Sequence, residues 1–320
     1  MSMLKKLFIT GGAGFVGSAI LNRLARQRDM QIFAHFRQYN KHLPASITPI
    51  VSSSFAALPD PMFLQGVQVV IHSAARVHVM EDDARDPMSE FRKVNVQDTL
   101  SLARQAAQHG VSRFVFISSI KVNGERTPQG RAFTPEDDPA QEDPYGISKM
   151  EAERGLQQLA RCTGMEVVII RPPLVYGPGV KGNFASLIKL VEKGLPLPLG
   201  AIPNRRSLVG VDNLVDLIIT CIDHPAAANQ VFLVSDGEDL STPELLRRLA
   251  AATGRRSLLI SVPPGLLELV AILIGKRAMV QRLLSSLQVD ISKTQSRLGW
   301  EPPFSVDEGL RRCFIPENVS

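Results

Sequence analysis

The chain has 320 residues, 44% hydrophobic and 21% charged, a composition that excludes wholesale disorder and suits one or two domains with a sizeable core. Its net charge of +5 favours phosphate-bearing small ligands. The basic residues are scattered, with no recognition motif and no aromatic–basic platform, which argues against nucleic acid. An apolar run after Lys5-Lys6 reads as a buried strand and enters Gly11-Gly12-Ala13-Gly14-Phe15-Val16-Gly17. Ala19, Ile20, Leu21, Leu24 and Ala25 then recur at helical spacing.

Strand, glycine turn and helix in that order make a dinucleotide site, and two glycine frames fit, Gly12-x-Gly14-x-x-Gly17 and Gly11-x-x-Gly14-x-x-Gly17. One glycine permits the tight turn, one lets the backbone approach a pyrophosphate, and the last lets helix pack on strand. Amides of the first helical turn, at Phe15, Val16 and Gly17, would hold the negative charge. Residues 30–36 read as a second strand. Its end lies roughly 20 residues past the glycines, where an Asp or Glu takes the ribose hydroxyls of NAD. Here His35 stands instead, followed by Arg37. With no carboxylate to repel a 2′-phosphate and a guanidinium at hand, the cofactor is NAD or NADP with NADPH favoured; Arg37 stacked on adenine or turned to water is the other reading.

Strands follow at 47–51 and 67–72, the latter leading into Ser73-Ala74-Ala75, small residues that let a ligand approach the carboxyl end of the sheet. His72 is expected to pack or satisfy a hydrogen bond. Glu81, Asp82, Asp83 and Asp86 read as a solvated loop. A long helix is expected over 87–110, with Asn95 making a buried bond to a neighbouring loop. Residues 114–117 form a fifth strand, running into Ser118-Ser119. Asp143-Pro144 is a helix start, with a capping carboxylate and a proline in the first turn. Tyr145 and Lys149 then share a helix face. A sixth strand at 165–170 completes a parallel, doubly wound α/β sheet of Rossmann type.

Beyond it, 171–182 and 194–204 are rich in Pro and Gly, and helical patterns return at 213–223, 242–253 and 265–284. The expected division is a nucleotide-binding unit over 1–172 with a return at about 206–224, and a smaller, mostly helical substrate lobe over 173–205 and 225–320. Residues 265–274 are too short to span a bilayer, at about 20 residues. They read as a core or interface helix, with peripheral membrane contact as the alternative. Cys162, Cys221 and Cys313 are few and far apart, as expected of free thiols in a reducing cytosol, and no metal-ligand spacing occurs.

A phenol titrates near 10, too high for a good base at neutral pH. A cation one helical turn away and an oxidised nicotinamide would lower it. With a serine hydroxyl holding the substrate oxygen, Tyr145 would exchange a proton with a carbinol or carbonyl while hydride moves to or from the nicotinamide.

Residues 11–17, 72–75, Asn95, 118–124, 145–149, 171–179 and Leu298-Gly299-Trp300 together resemble the extended short-chain dehydrogenases/reductases of the nucleotide-sugar epimerase/dehydratase group. The resemblance implies catalytic roles for Ser119, Tyr145 and Lys149. It implies cofactor contacts from Gly11, Gly14, Phe15, Val16, Gly17, His35, Arg37, Ala74, Ala75, Lys149 and Pro172. Asn183 and Arg206 would contact the diphosphate of a UDP-sugar, with Lys121 and Arg282 as further substrate-side candidates. A cytoplasmic homodimer is implied as well.

The sugar 4,6-dehydratases carry Asp-Glu directly after the catalytic hydroxyl residue; here Ile120-Lys121 stand there, so elimination lacks its acid and base. Residues 119–125 and 179–184 look most like bacterial O-antigen reductases acting on a UDP-4-keto-6-deoxy-N-acetylhexosamine. A UDP-glucose or UDP-N-acetylglucosamine 4-epimerase is the alternative, and a non-catalytic NADP-binding regulator belongs to another class. Arg37→Ala should weaken NADPH binding about tenfold and leave NADH unchanged, since a charge-assisted hydrogen bond contributes about 1.5–3 kcal/mol. Titration of both cofactors checks it; an unaltered NADPH affinity contradicts the reading.

Overall fold

The computed structural model describes residues 4–38, 43–56, 58, 60–77, 86–128, 130–273, 275 and 277–315. Strand and helix alternate first: β1 (Lys5–Thr10), α1 (Phe15–Leu24), β2 (Met30–Phe36), β3 (Ile47–Val51), β4 (Val69–His72), α2 (Pro87–Arg92), α3 (Thr99–Gln108), β5 (Arg113–Ile117), α4 (Pro144–Thr163) and β6 (Glu166–Arg171). Then come β7 (Leu174–Tyr176), α5 (Gly182–Glu192), β8 (Arg206–Gly210), α6 (Val211–Asp223), β9 (Val231–Leu233) and β10 (Asp239–Leu240). Helices close the chain: α7 (Thr242–Ala252), α8 (Pro264–Leu273), α9 (Arg277–Leu284), α10 (Ser292–Leu298) and α11 (Val306–Arg312).

Seven strands pair in the order β3-β2-β1-β4-β5-β6-β9, all parallel. The central strands are apolar on both faces because helices cover both. Alternation sends Leu7 and Ile9 into a core with Ile20, Leu24, Leu214 and Ile218, and Phe8 into another with Leu102, Ala106 and Leu156. β4 starts at Val69 rather than Val67, because the Val67 N–H closes a turn on the Leu64 carbonyl at 3.1 Å.

A second sheet, β10-β8-β7, carries the chain away from the first. β8 belongs to it, while α6, which follows directly, packs beside α1 on the main sheet. Buried Asp236 ties the two together: its carboxylate accepts from the Tyr176 hydroxyl at 2.6 Å, the Gly210 N–H at 2.8 Å and Asn213 Nδ2 at 2.7 Å.

Two of the expected helices differ in form. Between α2 and α3 the helix widens into a π-helical stretch, Lys93–Asp98, that keeps 87–108 continuous. The expected 265–284 helix is two, because Gly275 has a φ of +70°, a left-handed conformation that stops α8. Nor is α8 a core helix: Leu266, Leu269 and Val270 are exposed. Asp86 caps α2, accepting from the Ser89 N–H at 3.2 Å; Glu81, Asp82, Asp83 and Ile274 lie outside the described residues.

Glu153 and Arg171, both buried, join α4 to the end of β6. Glu153 also accepts from the Ser118 hydroxyl, and Arg171 Nη1 donates to Asn123 Oδ1 at 3.0 Å, so helix, strand and the loop after β5 meet in one knot. Glu153→Ala leaves a guanidinium buried without its counter-charge. Loss of about 3–5 kcal/mol is expected in urea unfolding; a change below about 1 kcal/mol would show that the pair is dispensable.

Candidate active site

The glycine turn is built as the spacing requires. Gly11 has a φ of +78°, and a Cβ there would lie 2.6 Å from the Ala74 nitrogen. A Cβ on Gly17 would run into the Gly11 carbonyl. These two positions let α1 and the Ser73-Ala74 segment close on the end of β1. Exposed Gly14 caps α1 and donates its N–H to the Gly11 carbonyl at 2.8 Å. The first turn of α1 holds no carboxylate and its cap supplies no side chain, so the amides of Phe15, Val16 and Gly17 are left to an outside anion. These residues fit the pyrophosphate of a dinucleotide.

At the end of β2, His35 is only 4% exposed, and its Nε2 lies 2.9 Å from the hydroxyl of Ser52, which directly follows β3. Burial lowers its pKa, and its ring packs against Ser52 at the end of β3. Arg37, two residues on, is exposed. His72 fills a structural place: it sits 2.6 Å from Thr10 Oγ1 and 2.9 Å from Thr99 Oγ1, and burial holds its pKa well down.

Ala74 and Ala75 follow β4 at the sheet's carboxyl edge, half-buried. The loop they open is held by Asn95, as its place in the helix suggested. Asn95 Oδ1 accepts from the Arg76 N–H at 2.8 Å, and its Nδ2 donates to the Arg76 carbonyl and the Ser148 hydroxyl, each at 3.0 Å.

β5 ends at Ile117 and the chain turns through Ser119, whose hydroxyl accepts from the Lys121 N–H at 3.2 Å. The Ile120 N–H reaches the Pro172 carbonyl at 3.0 Å, joining this loop to the end of β6. Asp143 caps α4 by accepting from the Gly146 N–H at 2.7 Å, and Pro144 follows in the first turn. That start places Tyr145 beside Ser119, with which its phenol shares a hydrogen bond, and edge-on to Phe91 at 6.2 Å. One turn on, Lys149 is 2% exposed; its Nζ donates to the Ile117 carbonyl at 2.7 Å and lies 4.3 Å from the centre of the Phe116 ring.

The electrostatics differ from expectation. Burial, and after it the Asp143 carboxylate, push the Tyr145 phenol up to about 12, against the pull of Ser119. Burial brings Lys149 down to about 7, opposed by Glu153. In the free chain, burial outweighs the pull of neighbouring groups on the phenol, and burial also lowers the pKa of the lysine one turn away. At neutral pH Tyr145 carries a proton to give.

Lys121 is engaged: its ammonium pairs with Asp143 and with Glu125 at 2.7 Å, which raises its pKa despite burial. Through Asp143 it anchors the α4 cap, while its side chain stays partly exposed. Asn183 is exposed in the first turn of α5. Half-buried Arg206 donates from Nη1 to the carbonyls of Arg282 at 2.8 Å and Ser285 at 3.1 Å, bringing β8 to exposed Arg282 on α9. The two arginines are thus neighbours. Glu153 and Arg171 were not anticipated; the signal was a glutamate four residues beyond Lys149, on the helix face that must be buried.

A Vibrio cholerae protein named UDP-glucose 4-epimerase is 50% identical over 323 residues, spanning 99% of this chain and 97% of its own. Among solved structures, the Thermotoga maritima UDP-glucose 4-epimerase with UDP-glucose superposes with a TM-score of 0.76 at 23% identity, over 96% of this chain and 97% of that one. The Pseudomonas aeruginosa protein RMD, complexed with NADPH, gives 0.71 at 21% identity over 97% and 98%. These two likenesses show the fold. The model of the family described as NAD dependent epimerase/dehydratase matches residues 7–235, and the chain belongs to that family.

Proposed function

We propose that the chain transfers hydride at C4 of a UDP-sugar, and that its reaction is reduction of a UDP-4-keto-6-deoxy-N-acetylhexosamine. The observation that carries this is the arrangement at the start of α4, where Tyr145 lies beside Ser119 and one turn from buried Lys149, whose Nζ is bonded to the end of β5. A ketone taking up hydride needs a proton donor at its oxygen, and a phenol, protonated at neutral pH, can serve there.

When bound on the glycine turn, a nicotinamide cofactor supplies the hydride chemistry. Ser119 Oγ hydrogen-bonds the C4 oxygen and holds it against Tyr145. Tyr145 Oη gives its proton to that oxygen. Lys149 orients the ribose and, as its charge changes near neutrality, tunes the phenol. Asn183 and Arg206 hold the diphosphate, with Arg282 beside Arg206. The missing carboxylate after β2 suits NADPH, which a reductase must exchange at every turnover.

A second reading, 4-epimerisation through the same three residues, is favoured by the name of the 50% identical relative. It would return the hydride within one cycle. The assay that separates them supplies UDP-N-acetylglucosamine or UDP-glucose alone, and separately the 4-keto sugar with NADPH or NADH. Cofactor consumption only with the 4-keto sugar is expected; epimer formation without added cofactor overturns the reductase reading in favour of the second.

Tyr145→Phe should lower kcat at least 100-fold with little change in cofactor affinity, since positioned proton transfer contributes about 10²–10⁴-fold. Undiminished turnover would remove Tyr145 from the chemistry. Lys149 yields a separate expectation. Its pKa lies below the unfolded value of 10.5. Between about 7 and 10.5 the unfolded chain therefore holds a proton that the folded chain has released, and wild-type stability rises with pH. Lys149→Met removes that burden, so its melting temperature should exceed wild type most at about pH 6 and least at about pH 10. An offset that does not depend on pH would show that Lys149 is charged without penalty in the fold.

A further inference from the structure

We propose that α8 and the extended segment before it form a membrane-docking surface that seats the protein on an anionic lipid bilayer. This inference stands on the surface alone and does not depend on which C4 reaction the site performs.

α8 reads Pro-Gly-Leu-Leu-Glu-Leu-Val-Ala-Ile-Leu, with Glu268 as its one charged residue. Leu266, Leu269, Val270 and Leu273 fall at i, i+3, i+4 and i+7, an apolar stripe roughly 100° wide of the kind that ordinarily faces a core. Here it faces outward: all four are exposed, Leu273 by 78%. Glu268 lies on the opposite side of the helix. Ile272 is exposed as well, and so are Leu258 and Ile260 just ahead of the helix. Among the described residues, half of the 14 exposed large hydrophobic side chains lie between 258 and 273.

The segment is fixed to the body. The Leu197 N–H donates to the Leu258 carbonyl and the Ile260 N–H to the Leu197 carbonyl, each at 2.8 Å. Gly200 adds a third bond, to the Ile260 carbonyl at 2.9 Å. α8 in turn packs against α9. An apolar surface so held is a built feature, larger than the scattered exposed leucines of an ordinary monomer.

Charge selects the occupant. Lys189, Lys193, Arg255 and Arg256 are exposed on the elements around this surface, against Glu192 and Glu268. Between 249 and 289 the sequence holds five basic residues and a single acid, whereas the whole chain carries only +5. A second copy docking face to face would set this basic rim against itself. An anionic headgroup layer offers the rim its counter-charge and the leucines an apolar bed. Ten helical residues reach about 15 Å, half of a bilayer core of about 30 Å, so α8 lies in the interface and does not span. No helix among the described residues is long and apolar enough to cross a membrane.

The test is sedimentation of the purified full chain with vesicles of phosphatidylcholine alone or with phosphatidylglycerol added. Binding to the phosphatidylglycerol vesicles, weakened by salt, is expected. Arg255→Ala with Arg256→Ala should lower the partition coefficient about 30-fold, each basic residue near a charged surface contributing about 1 kcal/mol. Leu269→Glu with Leu273→Glu should abolish binding, and retained cofactor affinity shows that the variant is folded. No sedimentation with anionic vesicles, or binding untouched by both pairs of substitutions, overturns the proposal. A dimer by ultracentrifugation that Leu269→Glu with Leu273→Glu dissociates, without vesicle binding in the wild type, overturns it in favour of a second copy.

Discussion

The bond from Lys149 Nζ to the Ile117 carbonyl is the contact on which the site depends. It fastens the first turns of α4 to the end of β5, and everything chemical follows from that placement. Tyr145 meets Ser119 because the helix and the strand end are held together here. The cost is a lysine without water, and the structure meets it in part with the face of Phe116 and the field of Glu153. Glu153 in turn needs Arg171, so a buried ion pair two turns along α4 belongs to the same arrangement as the phenol.

A second constraint comes from backbone that tolerates no side chain. With a Cβ on Gly17, α1 could not approach β1, and the amide-lined end of the helix would move away from the sheet's carboxyl edge. The glycine turn and the Tyr–Lys turn are reached from strands β1 and β5, which β4 separates. A ligand lying across β4 therefore touches both, which explains the small residues Ala74 and Ala75 at that strand's end.

What could be read before the structure was whatever depends on spacing along one element. β2 and β3 begin and end where expected, because alternation and apolar runs are local. The cap at Asp143, the inward bond of Asn95 and the packing of His72 followed for the same reason. What escaped depends on partners far apart in sequence. His35 stands where a ribose contact belongs, and its ring is held by Ser52, the residue after the neighbouring strand. Lys121 is tied to Asp143, 22 residues on, a pairing that spacing along one element does not show. Burial raises the Tyr145 pKa in the free chain, an effect a sequence does not display because proximity of charge is visible in it and depth is not. The break at Gly275 was overridden by an apolar pattern that continues on both sides.

The widened stretch Lys93–Asp98 carries a consequence for how this chain can vary. An extra residue in one turn rotates everything after it by about 100° relative to a regular helix. Leu102, Ala103 and Ala106 reach the core, and Asn95 reaches Arg76, only because both segments keep that offset. Single-residue insertion or deletion anywhere between α2 and α3 would put one of these sets on the wrong side. Homologous chains should therefore differ there by exchange of side chains at constant length, while loops elsewhere are free to grow or shrink.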